Sequence, residues 1–274
     1  EIYTLSLHDA LPIFGRSFFL LQAQKKRTMN YTEQWKKVAG YEAQSLPKSA
    51  AKEVDAILKR AITDKNAPQV IKALIHEGKY DLAADAENDT LIFHRLDEML
   101  LKSGDVTEKA VLHSMLGELY LHYYRQDAWN IDQRKELQGY VPQDMKEWSR
   151  NIFFDKATEH LNASLASRQE LERTKVESYE VLVDMQPDSR RLFPTMYDFL
   201  ARRAVELFAE METGGDVGAA VRKKGIAFSS LYRPAEKFVT LSFAPEAGDY
   251  LLWQLETHRK LLPKIGRASC RERV

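Results

Sequence analysis

The stretch Gly104–Asn130, GDVTEKAVLHSMLGELYLHYYRQDAWN, decides the fold. Asp105 followed three residues on by Glu108 is the signature of a capping box, in which the N-cap side chain accepts from the first turn and the later acid reaches back. The next twenty or so residues hold no proline and one glycine, Gly117. A helix is therefore expected over Asp105–Tyr124. Leu112, Leu116, Leu119, Tyr120 and Tyr123 keep the helical period, while Val111, Met115 and Leu121 put apolar groups on other faces. A helix apolar nearly all round is packed on several sides by neighbours, so this one should be the centre of an all-α domain.

The elements before it have the same character. Asn30 with Glu33 reads as another capping box, and Tyr31, Trp35 and Val38 share a face. Pro47 suits the first turn of a second helix with Ala51, Val54, Leu58 and Ala61 in a stripe. Asn66-Ala67-Pro68 restarts the chain into a third, and a fourth is expected from near Asp89, carrying Ile92, Phe93, Leu96, Met99 and Leu100 until Gly104. Helix pairs at roughly forty-residue spacing with short connections imply antiparallel neighbours, the rhythm of a solenoid-like array of helical hairpins. Leu116-Gly117-Glu118-Leu119-Tyr120 matches part of a tetratricopeptide pattern, but no second copy follows. It reads as a packing site, where glycine admits a close neighbour.

After Tyr124 the period lapses. Residues 126–143 read as a long loop expected to fold back and bury Trp129. Helices are expected over Glu147–Phe154 and Asp155–Ala166, with a less regular segment over Val176–Met185. Leu192–Met211 is the second strong helix, capped by Thr195, with Met196, Phe199, Leu200, Ala204, Leu207, Phe208 and Met211 at three- and four-residue spacing. A last helix is expected from about Gly248.

The two ends obey a different logic. One codon choice for Thr4–Ile13 (TLSLHDALPI), read on the opposite strand with a shift of one base, encodes Ile265–Val274 (IGRASCRERV). Termini related as the two strands of one duplex resemble a translated sequencing adapter, so residues 1–13 and 265–274 are set apart from the reading of the fold. Setting them apart removes Cys270, the single cysteine. The remainder then offers no thiolate nucleophile and no disulfide. Phe14–Gln24 is a short apolar run followed by Lys25-Lys26-Arg27, readable as the remnant of a secretory signal peptide or as a frayed helix, and residues 14–28 are assigned to it and a linker. The helical domain is expected over residues 29–264, a piece of a longer reading frame.

The 40 basic and 40 acidic residues balance, which gives no general attraction to nucleic acid or to a membrane surface. No run approaches the length of a membrane span. His76, His94, His113, His122, His160 and His258 form no HxxxH or HExxH pattern, so a zinc site would need distant partners. Gly214-Gly215-Asp216-Val217-Gly218 lacks the lysine of a phosphate loop and the spacing of a dinucleotide fingerprint. The sequons at Asn30, Asn88 and Asn162 read as chance. No catalytic, cofactor-binding or metal-binding residue is assigned, no cofactor is implied, and an enzyme is not expected.

Trp35-Lys36-Lys37-Val38, Leu46-Pro47-Lys48-Ser49-Ala50, Gln69–Leu74, Glu108–Ser114, Glu118-Leu119-Tyr120, Tyr123-Tyr124, Trp129 and above all Leu192–Ala201 (LFPTMYDFLA) together resemble the N-terminal helical region of the large bacterial alpha-2-macroglobulin-like proteins. The resemblance implies a secreted or envelope protease trap, whose bait segment and thioester lie in later β-sandwich domains. It implies no functional residue for this stretch. Its expected partners are the downstream domains of the parent chain and, through the parent, proteases; its expected place is outside the cytoplasm. The alternative is a free-standing helical-repeat scaffold that binds a protein or peptide.

Overall fold

A computed structural model describes residues 30–84, 90–135, 139–182, 193–212, 234–246 and 248–270. Eleven α-helices occur among them, with two short 3-10 turns and, in place of a sheet, one isolated antiparallel bridge between Lys175 and Thr195. The fold is all-α. Contacts divide the chain into two compact units, Glu1–Val54 and Asp55–Val274.

Within the first unit α1 spans Tyr31–Ala43. Its cap departs from the expected box: the Asn30 side chain accepts from the N–H of Thr32 at 3.4 Å, one residue earlier than a box requires. Ser45 then takes a left-handed conformation (φ 55°), and Leu46 N–H reaches back to Tyr41 O at 2.9 Å. That is a Schellman closure made without glycine. Pro47 immediately starts α2, Pro47–Thr63, which runs across the division between the units. The same device ends α2: Lys65 has φ 51°, and Asn66 N–H bonds Ala61 O at 2.9 Å.

In the second unit Asn66 caps α3, Ala67–Ala84, by accepting from Gln69 N–H at 3.3 Å. Helix α4 is Leu91–Lys102; its expected start at Asp89 lies outside the described residues. Arg95 of α4 ties it to α3 through ion pairs with Glu77 at 2.7 Å and Asp81 at 2.9 Å.

Helix α5 is Val106–Gln126, the stretch on which the sequence turns. Asp105 accepts from Glu108 N–H at 2.6 Å, but the return half of the box is relayed. Asp105 N–H donates to Ser103 Oγ at 3.2 Å, and that hydroxyl donates to the Glu108 carboxylate at 3.0 Å. At about 1.5 Å per residue the helix is roughly 30 Å long. Its buried residues include Thr107, Val111, Leu112, Leu116, Leu121 and Tyr124, which occupy several faces as expected.

After α5 a five-residue helix, α6, spans Ala128–Asp132. Here the expectation for the loop fails: Trp129 is 76% exposed, and Tyr140 and Val141 are exposed too. Ile131, with no exposed surface, and Met145 are the buried anchors. Positions 129 and 131 are two apart on a single helical turn, so they cannot both face inward. The place expected for Trp129 goes to Trp148, which stacks on Tyr120 (centroids 5.8 Å) and donates its Nε1–H to Pro142 O at 2.8 Å.

Instead of two helices, one continuous α7 covers Arg150–Leu165, because Phe154-Asp155 contains nothing that interrupts a helix. It lies along α5. Gly117 makes the approach possible: a Cβ there would stand 2.9 Å from Leu161 Cγ and 3.2 Å from Ala157 O. LGELY is thus a packing site.

The short α8, Arg168–Arg173, leads to the 3-10 turn Val176–Tyr179. Helix α9, Met196–Met211, begins with a complete capping box between Thr195 and Asp198. The short α10, Ala235–Phe238, and the final α11, Tyr250–Cys270, enclose a small core of Phe238, Phe243 and Leu252. Helices α8 and α9 both pack on α5 as well as on each other, so α5 touches elements far along the chain besides its neighbours.

Candidate functional site

The grooves flanking α3 and α4 are the first candidate. One, of about 670 Å³, is lined by Leu58, Ile62, Val70, Leu74 and Met99, with Glu77 and Glu108 among the polar groups. Burial raises the pKa of both carboxyls, against the pull of Arg95 on Glu77 and the Ser103 hydrogen bond on Glu108. A second groove, of about 430 Å³, is walled by Ile75, Ile92, Phe93, Met115, Leu119 and Tyr123. Arg203 of α9 enters its lining and pairs with Glu118 of α5. Burial lowers the Arg203 pKa, with Glu206 opposing. Both grooves join apolar walls with paired charges at the edge.

The second candidate is a histidine pair that no local pattern announces. His113 of α5 and His160 of α7 stand Nδ1 to Nδ1 at 3.0 Å, a distance at which one nitrogen donates and the other accepts. The rings belong to an aromatic chain: Tyr120 lies 5.6 Å from His160 and 4.8 Å from Phe93 between centroids, and Trp148 covers Tyr120. Burial lowers the His160 pKa to about 4, reinforced by His113 and Lys156 and opposed by Glu159. His113 is lowered too, first by burial and then by Lys109, with Glu159 opposing. Burial pushes the Tyr120 phenol up to about 12, helped by Asp97 and Glu159. Both histidines sit inside apolar helical faces, next to Leu112 and Leu161, and that was the only signal in the sequence. Their pairing spans 47 positions.

The other described histidines lie elsewhere. His94 is exposed, His76 lies beside Tyr80, His122 is bonded to Gln126 at 2.9 Å, and His258 is near Phe238. Among the described residues no group of three or more His, Cys, Asp or Glu is placed to hold a metal ion. Of the sequons, Asn30 caps α1 and Asn162 lines a small cleft with Leu165, whereas Asn88 lies outside the described residues. The glycine-rich segment 214–218 also lies outside them.

Leu192–Ala201, a block of the resemblance, is described from Phe193 and gives the capped start of α9. Tyr197, Asp198, Leu200 and Ala201 are all buried there. Arg168 lies over the Tyr197 ring at 4.8 Å, and the Thr195 hydroxyl donates to Asp198 at 2.6 Å. The block is a structural one, a helix start and a core face.

The class that fold and site define is an all-α protein with open apolar grooves. No family model, curated protein or solved structure matches the chain. Among the described residues no helix is long and apolar enough to cross a membrane.

Proposed function

We propose that the chain is a non-catalytic helical module at the front of a large extracytoplasmic alpha-2-macroglobulin-like protease inhibitor. It packs against the downstream macroglobulin domains or positions them. The observation that carries the reading is where the resemblance falls. Most of its blocks coincide with helix starts and core faces, the exposed Trp129 excepted: Leu46-Pro47 at the join of α1 and α2, Gln69–Leu74 on α3, Glu108–Ser114 on α5, and Thr195–Ala201 at the capped start of α9. A pattern that falls on helix building fits a module whose work is to be a shaped body. The grooves beside α3 supply apolar surface for a protein neighbour.

The test is the gene beyond both ends of this sequence. Downstream coding for macroglobulin-type β-sandwich domains, together with binding of those domains by residues 29–264, supports the reading. A stop soon after Lys264 refutes it. In that case the same grooves favour the free-standing helical scaffold, which would then capture a peptide or protein partner through Leu58, Leu74 and Met99.

A further inference from the structure

We propose that His113 and His160 form an acid-released latch between α5 and α7, closed while the pair carries at most one positive charge and opened by the second proton. In the neutral pair one ring donates its Nδ1–H to the bare Nδ1 of the other across 3.0 Å. A first proton added to the far nitrogen of the donor ring leaves that bond in place and makes it charge-assisted. A second proton has only the accepting Nδ1 left to bind. It turns the acceptor into a donor, so two N–H groups and two positive charges face each other at contact distance.

The surroundings give the doubly charged pair little relief. From α5 the facing groups are Lys109 and the Tyr120 phenol, and from α7 they are Lys156 and Glu159. Glu159, the one acid among the described residues that acts on both rings, already holds Lys156 at 2.8 Å. From α4 Asp97 faces Tyr120 and Lys156, with His94 beside it. The ionic contacts from α9, Arg203 on Glu118 and Arg125 with Glu210, lie further along α5.

The helices also have no slack at this point. Four residues beyond His113, Gly117 already admits Leu161 at less than an ordinary contact distance for a Cβ, and Leu161 and Ala157 are fully buried. Both rings are half-buried, so two imidazoliums are relieved by parting toward water, and with α5 and α7 already in close contact at Gly117 that parting loads the contact between the two helices.

The unfolded chain takes up its histidine protons near pH 6.5, whereas folded His160 resists until about pH 4. The cost of protonating His160, set first by its burial and then by His113, consequently grows as pH falls between those values and levels off below the lower one. The experiment is an NMR titration of the full chain across that window, with hydrogen-exchange protection of the α5 and α7 amides, for wild type, His160→Gln and His113→Gln. Wild type should lose roughly a hundredfold more α7 protection than His160→Gln on going to pH 4, and His160 should titrate higher in His113→Gln. Equal acid sensitivity in all three proteins overturns the latch. Should a variant fail to fold, the wild-type rings decide: two separated proton steps, the second moving α7 resonances, support it, and a single independent step near the ordinary histidine value refutes it.

Discussion

Two glycines inside helices separate intrinsic helix preference from packing. Gly40 in α1 and Gly117 in α5 would each gain about 1 kcal/mol of helix propensity on replacement by alanine. At Gly40 a new Cβ meets nothing within 4 Å. At Gly117 it would stand 2.9 Å from Leu161 Cγ, 3.0 Å from Leu161 Cδ2 and 3.2 Å from the carbonyl oxygen of Ala157. Leu161 has no exposed surface, so its side chain cannot swing aside, and the Ala157 oxygen is fixed in the helix backbone. Overpacking of this kind costs about 1–3 kcal/mol. Gly40→Ala should therefore stabilise α1 by about 0.5–1 kcal/mol, and Gly117→Ala should destabilise the α5–α7 pair by about 1 kcal/mol after its propensity gain.

Because the two sites lie in different compact units, each effect is best read from hydrogen exchange of its own helix, which reports local opening. A cycle with Leu161→Ala tests the cause. That change alone should cost about 2–5 kcal/mol, and noticeably less beside Gly117→Ala, since the two relieve each other. Relief stays partial because the Ala157 oxygen remains. If Gly117→Ala stabilised as much as Gly40→Ala, the close approach of α5 and α7 would be refuted.

Other substitutions probe the remaining links. Trp129→Ser should leave stability within about 0.5 kcal/mol, whereas Trp148→Ala should cost about 2–3 kcal/mol in a urea titration by losing its ring stack and its bond to Pro142 O. Lys65→Gly should raise stability by about 1 kcal/mol, since its left-handed φ of 51° burdens any residue with a Cβ. Thr195→Ala removes both hydroxyl bonds of the α9 capping box and should cost about 1–2 kcal/mol, seen as faster exchange in the first turn. Leu116→Asp puts an unpaired charge at a site with no exposed surface and should abolish the folded circular-dichroism signal of the second unit.

What could be read from the chain, and what could not, divides by sequence separation. Signals acting within four residues were legible: the 3.6-residue period of α5 and α9, Thr195 as the α9 cap, Pro47 at the start of α2; the sequence put Asp198 on the solvent side, whereas the return bond of the box buries it. Where two local solutions compete, reading fails for a definable reason. Ser103 could enter the α5 cap because its hydroxyl both accepts from Asp105 N–H and donates to Glu108, a double role that a two-residue motif does not encode. Ser45 and Lys65 close their helices without glycine because Leu46 and Asn66 supply the second backbone bond, a closure that no residue type announces. Trp129 has the larger apolar surface of its short helix, yet Ile131 is buried, because the inward direction is set by α5 and α7 and not by the turn itself. The histidine pair is the extreme case. Each ring alone is an odd residue on an apolar face, and its meaning exists only when Gly117 and Leu161 bring two helices to contact. The local sequence therefore specifies the rods, and the central contact of α5 with α7 gives them a shared chemistry.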